Sequence, residues 1–143
     1  MGTLRVIAGT AKGLRLKTVP GDTTRPITDI VKEALFNILG DEIADNLILD
    51  LFGGTGAVGI EALSRGAHFV TFLDKGQQAV RTIQLNLVTT KFTDQAEVIR
   101  TDAFTYLAMP PKIDFDLIYV APPQYKQMWQ KALKLIDSKP ELL

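Results

Sequence analysis

The chain has no cysteine, a single histidine and a single tryptophan among its 143 residues. Without cysteine there is no disulfide framework and no thiol nucleophile, and the compartment is left open with a lean toward the cytoplasm. No apolar run approaches the ~18–20 residues of a membrane span, and the first residues do not read as a signal peptide. Internal repeats and low-complexity tracts are missing. Neither sign of charge is in excess: 16 basic residues balance 16 acids, for a net charge of zero. That argues against a surface built to coat nucleic acid generally. A local excess survives, because residues 1–20 carry Arg5, Lys12, Arg15 and Lys17 and no acid. Such a cluster is either a footprint for phosphates or a solvated hairpin edge whose lysines discourage sheet aggregation.

Composition is otherwise that of an ordinary globular domain, 46% hydrophobic and 22% charged, and long enough to bury a core. Leu4–Ala8 and Leu14–Lys17 are short alternating runs around a loop holding Gly9 and Gly13, which predicts a β-hairpin. Pro20-Gly21 breaks the chain. Thr28 or Asp29 then caps a helix in which Val31, Ala34, Leu35, Ile38 and Leu39 form the packing face and Lys32 and Glu33 lie opposite. Gly40 stops it.

Residues 47–59 organise the rest. Leu47–Leu51 is short and β-prone, which predicts a parallel-sheet strand carrying Asp50 near its end. Gly53, Gly54 and Gly56 then allow a tight turn and a close ligand, and a helix opens near Ala57 with its free N–H groups and positive dipole end toward that turn. Gly54–Gly59 also fits the dinucleotide pattern G-x-G-x-x-G, but Asp50 would repel a diphosphate and suits a ligand with a positive end. A second strand, His68–Asp74, ends in an acid about 20 residues past the turn, where a carboxylate receives ribose hydroxyls; capping the next helix is the other role open to Asp74. His68 starts that strand, far from the ligand-binding ends, and reads as structural. A third strand, Glu97–Arg100, precedes Asp102, which either caps Phe104–Leu107 or accepts from an exocyclic amine such as adenine's. A fourth, Phe115–Val120, runs into Ala121-Pro122-Pro123-Gln124-Tyr125, where carbonyls can accept from an amine and an aromatic can stack a base. Strands alternating with helices predict a doubly wound α/β sheet. Asp50, Asp74, Asp102 and the proline pair all fall at the carboxyl ends of its strands, where such sheets bind ligands.

Asp50-x-Phe52-x-Gly54-x-Gly56 resembles the first motif of S-adenosylmethionine-dependent methyltransferases, and the chain from Arg5 to about Leu135 resembles one family of them. That is the RsmD family, bacterial enzymes that modify guanine N2 in 16S ribosomal RNA. Four stretches carry the likeness: Arg5–Gly9 with Lys12-Gly13; Thr24-Arg25-Pro26 with Lys32–Leu39; Asp50–Gly56 running into Gly59–Ala67; and Asp116-Leu117-Ile118 leading to Pro122-Pro123. The resemblance implies a Rossmann-like methyltransferase domain over residues 25–143, with residues 1–24 as a basic hairpin extension. It implies that S-adenosylmethionine is the cofactor, held at its methionine part by Asp50, Gly54 and Gly56, at its ribose by Asp74 and at its adenine by Asp102. Phe52, Gly53, Thr55, Lys75 and Ala103 complete that set. It further implies RNA contacts at Arg5, Lys12, Arg15, Lys17 and Arg25, and base recognition and chemistry at Ala121, Pro122, Pro123, Gln124 and Tyr125. The partner so implied is 16S RNA or a small-subunit assembly intermediate, met by a cytoplasmic monomer without metal. Two departures stand out. Ala121 replaces the Asp, Asn or Ser usual in amino-group methyltransferases, and Gln124 takes the place of the aromatic, with Tyr125 one residue later. Family members also continue into further strands, so C-terminal strands are expected to be missing here. Two other functions remain open from the residues alone: a cofactor- or RNA-binding module without turnover, and an NAD-dependent oxidoreductase.

Overall fold

The computed structural model describes residues 4–20, 27–110 and 114–121. Its centre is a four-stranded, wholly parallel sheet of β1 (Leu47–Asp50), β2 (Phe69–Asp74), β3 (Ala96–Arg100) and β4 (Leu117–Tyr119), in the order β3-β2-β1-β4. Helices α2 (Ala57–Ser64), α3 (Gln77–Thr90) and α4 (Ala103–Ala108) connect successive strands, and α1 (Asp29–Leu39) precedes β1. The α/β expectation therefore holds, and each of the four expected strands is found within two residues of its expected ends.

Successive strand residues point to opposite faces, and the two cores follow that alternation. Ile48, Val70 and Phe72 face a cluster built with α2, α3 and the N-terminal segment. Leu49 and Leu73 face the other side, against Ala103 and Leu107 of α4 and Phe115. Phe72, Leu49 and Leu73 have no exposed surface, and each such side chain contributes roughly 1.5–3 kcal/mol through burial. Because β2 and β3 lie on one side of β1 and β4 on the other, the strand order reverses at β1 and β4. Their carboxyl ends form the crevice where open α/β sheets bind ligands.

The N-terminal segment is a hairpin, though its strand pairing is reduced to one antiparallel bridge between Arg5 and Arg15. Val6 N–H donates to Leu14 O at 2.9 Å and Leu16 N–H to Leu4 O at 2.8 Å. Leu4, Val6 and Leu16 are buried, so Arg5, Arg15 and Lys17 all face outward.

Helix α1 begins and ends as expected. Thr28 accepts from Val31 N–H as N-cap, and Gly40 (φ 53°) terminates it. Its packing face is corrected in part: Leu35 and Leu39 pack against the core as expected, but Val31 and Ile38 do not. Lys32 and Phe36 are the buried residues, whereas Val31 is 54% and Ile38 83% exposed. The reason is an acid on another helix: the Lys32 ammonium lies 3.3 Å from the Glu61 carboxylate, both fully buried, and donates to Arg5 O at 2.5 Å. Glu61 also accepts from Ile7 N–H, Ala8 N–H and Arg65 Nε at 2.8–3.1 Å. One carboxylate thus ties the hairpin, α1 and α2 together, and a buried charge so fully partnered turns the helix toward it.

Candidate active site at the carboxyl rim of the sheet

The chain leaves β1 at Asp50 and must reverse into α2 within a few residues. Gly54 (φ 59°) and Gly56 (φ 83°) make that turn in the left-handed region that other residues rarely adopt. Three contacts fix the loop. Gly53 N–H donates to Leu73 O at 2.7 Å, Gly54 N–H to Asp74 Oδ2 at 3.0 Å, and Thr55 O accepts from Asn86 Nδ2 at 2.9 Å. Thr55 Oγ1 in turn accepts from Ala57 N–H at 3.2 Å, in the first turn of α2.

Asp50 lies between Phe72 of β2 and Tyr119 of β4 in register. It is 2% exposed, and its Oδ1 has no hydrogen-bond partner among the described residues. Burial pushes its carboxyl up from 3.8 to about 7; a backbone hydrogen bond from Phe52 pulls the other way, and the nearby Asp74 carboxylate adds to the rise. The Tyr119 hydroxyl is likewise raised to about 12, by burial and then by the charge of Asp50. A cavity of about 170 Å³ opens beside Asp50 and Tyr119, walled by Leu35, Phe36 and Leu39 of α1 and by Val58, Gly59 and Leu117. An unsatisfied buried acid beside a second acid favours a cation and disfavours a diphosphate. The acceptor oxygens therefore fit a ligand with an ammonium at Asp50.

Asp74 ends β2 and bonds Gly54 N–H and Gly76 N–H. The N-cap of α3 is Gly76, so Asp74 pins the glycine loop and does not cap the helix. Each of its oxygens keeps a second lone pair for a hydroxyl donor. Asp102 does cap α4, its Oδ2 accepting from Phe104 and Thr105 N–H at 3.0 Å. Phe52 is half-buried and meets the Phe104 ring edge-on at 6.1 Å, which walls the rim between the turn and α4. Lys75 is exposed with its carbonyl accepting from Arg100 Nε, and Ala103 is buried as the first residue of α4. The sequence-derived cofactor residues thus share one rim at the ends of β1, β2 and β3. Ala121 follows β4, half-buried, two residues past Tyr119. Pro122, Pro123, Gln124, Tyr125 and Arg25 lie outside the described residues.

Of the basic positions, Arg5 pairs with Asp29 at 3.0 Å, and Lys12, Arg15 and Lys17 are exposed. His68 is exposed just before β2, at the end of the sheet opposite the rim. Three residues of the site's surroundings were not singled out from sequence: Asn86, Glu61 and Tyr119. Asn86 has no exposed surface and bonds both the hairpin and the loop. The available signal was its position on the buried stripe of α3, between Ile83 and Leu87.

Comparison with known proteins agrees with this geometry. The family described as conserved hypothetical protein 95 matches residues 4–143. A Bacillus subtilis protein named as a candidate rRNA methyltransferase, YlbH, is 43% identical over 136 residues, covering 94% of this chain and 74% of its own length. The Haemophilus influenzae ribosomal RNA small subunit methyltransferase D is 37% identical over 137 residues, covering 94% of this chain and 71% of its own. The solved structure of Escherichia coli yhhF, described as a candidate methyltransferase, superposes with a TM-score of 0.85 at 34% identity, covering 95% of this chain and 73% of that one. No helix among the described residues is long and apolar enough to cross a membrane. A Rossmann-like parallel sheet, a glycine turn beside an unsatisfied buried acid, and relatives of this identity over nearly the whole chain place it in the RsmD family of methyltransferases, the family described as conserved hypothetical protein 95.

Proposed function

We propose that the rim binds S-adenosylmethionine and that the protein transfers its methyl group to the N2 amine of a guanine in 16S ribosomal RNA. The observation that carries the cofactor reading is the buried Asp50 Oδ1 at the end of the central strand, which has no hydrogen-bond partner among the described residues. Asp50 receives the ammonium, Asp74 the ribose hydroxyls, Asp102 the adenine amine through Oδ1, since its capping bonds to Phe104 and Thr105 fall on Oδ2, and Gly53–Gly56 admit the chain of the ligand. S-adenosylmethionine supplies an electrophilic methyl on a sulfonium. The protein's part is then to hold an amine in line with that methyl, which needs no strong base before transfer. Pro122 O and the Gln124 amide oxygen accept from the guanine amine, and Tyr125 stacks on the base once it is drawn out of the RNA.

The RNA reading rests on the names of the relatives and on the hairpin. Arg5 and Arg15 are direct cross-strand partners, and Asp29 pairs with Arg5, so the exposed Lys12, Arg15 and Lys17 are the charges this face offers a polyanion. Residues 1–24 form the RNA-facing extension in this reading, and residues 25–143 the transferase. The test is incubation with labelled S-adenosylmethionine and unmodified 16S RNA, followed by mass analysis of nucleosides. N2-methylguanosine is the expected product; label on another base, or on none, overturns the substrate assignment. Gln124→Ala is expected to lower turnover far more than cofactor affinity, and equal losses would refute its role.

A further inference from the structure

Between the basic hairpin and the glycine loop stands one amide. Asn86 Oδ1 accepts from Lys17 N–H at 2.8 Å, and Asn86 Nδ2 donates to Lys17 O at 3.0 Å and to Thr55 O at 2.9 Å. Both amide hydrogens are used on carbonyls, so the reverse orientation would set an oxygen against two oxygens. The side chain is fully buried, and Ile83, one helical turn before it, backs the same loop. A Cβ on Gly53 or Gly56 would lie 2.8 Å and 3.3 Å from Ile83. At the hairpin end, the backbone Asn86 holds is that of Lys17, whose side chain faces outward.

We infer that Asn86 is a positioning residue that couples the basic hairpin to the glycine loop, so that RNA bound on the hairpin raises affinity for the methyl donor. The inference rests on the RNA and cofactor assignments proposed above. A phosphate drawn to Lys17 and Arg15 fixes the Lys17 backbone, the amide transmits that order to Thr55, and the loop is then set before the donor arrives. The other end of the hairpin is anchored separately. Ser64 Oγ accepts from Ala11 N–H at 2.9 Å and donates to Ala8 O at 2.6 Å, and Glu61 holds Ile7 and Ala8. Docking of the hairpin and coupling to the loop are therefore separable.

The experiment is a linkage measurement by calorimetry on the full chain. S-adenosylhomocysteine, which cannot react, is titrated with and without saturating unmethylated 16S RNA. Wild type is expected to bind it at least about fivefold more tightly with RNA, the lower range of such couplings, and RNA to bind more tightly by the same factor with cofactor present. Asn86→Leu should bring the ratio to about one. Ser64→Ala loosens docking without touching the loop and should keep the ratio even where RNA affinity falls. A wild-type ratio of one, a ratio retained in Asn86→Leu, or equal loss in Ser64→Ala overturns the inference. Should Asn86→Leu fail to fold, Asn86→Asp keeps the acceptor for Lys17 N–H, removes both donors, and has the same expected outcome. Amide exchange of the unaltered protein gives a second readout: RNA alone should slow exchange at Gly54 and Gly56, and unchanged exchange there refutes the coupling. Failure of the underlying assignments shows separately, as wild type that binds cofactor alone or RNA alone not at all.

Discussion

Ionising Asp50 in the ligand-free protein should be costly, and the cost should be visible as pH dependence. The carboxyl is raised from 3.8 to about 7, chiefly by burial. At about 1.36 kcal/mol per tenfold, that corresponds to about 4 kcal/mol of lost stability once the group is fully ionised. The sign follows from proton counts. With its folded pKa above its unfolded one, Asp50 holds an extra proton in the folded state between about pH 4 and pH 7, so stability falls as pH rises through that window and is level above it. Other carboxylates titrate as well, so the informative quantity is the difference between wild type and Asp50→Asn. Urea unfolding should show the variant gaining roughly 2–3 kcal/mol on wild type between pH 5 and pH 8. A bound ammonium reverses the penalty. Cofactor affinity of wild type should therefore rise about tenfold per pH unit up to neutrality and then level, while Asp50→Asn binds weakly with no such slope. Parallel stability profiles for the two proteins would refute the reasoning, because Asp50 would then ionise as in water.

Four further outcomes follow from particular residues. A Cβ on Gly59 would lie 2.2 Å from the Phe72 ring in the core, so Gly59→Ala should cost about 1–3 kcal/mol in urea unfolding. On Gly54 a Cβ meets nothing within 4 Å. Gly54→Ala should therefore lose only about 1–2 kcal/mol for its left-handed backbone, yet calorimetry should show cofactor binding strongly impaired. Glu61→Gln leaves the buried Lys32 ammonium uncompensated and should cost about 3–5 kcal/mol; adding Lys32→Met should recover part of the loss. Arg15→Gln and Lys17→Gln should each flatten the dependence of log RNA affinity on log salt by about 0.7, with cofactor affinity in the absence of RNA unchanged.

How much of this was legible in the sequence depends on which force set each feature. Local signals were faithful: Thr28 and Gly40 bound α1, the glycines make the turn after β1, and alternating strands and helices gave the sheet. The rim was legible for the same reason, since Asp50, Asp74 and Asp102 each sit at a strand end that apolar runs define. The face of α1 was legible only in Leu35 and Leu39, because Lys32 is drawn inward by Glu61, which lies on another helix. No periodicity within residues 29–39 records that partner. The N-terminal strands were legible as alternation, yet their extent was not, because the hairpin takes its remaining backbone bonds from Glu61, Ser64 and Asn86. Asn86 was overlooked because a polar residue on an apolar stripe announces a partner without naming it.

The most direct test of the account is calorimetric titration of the 143-residue chain with S-adenosylmethionine, with NAD as the comparison. One-to-one binding of S-adenosylmethionine and none of NAD is the predicted result, with Asp50 and the glycine loop as the site. Binding of NAD alone, or of neither ligand, would contradict it.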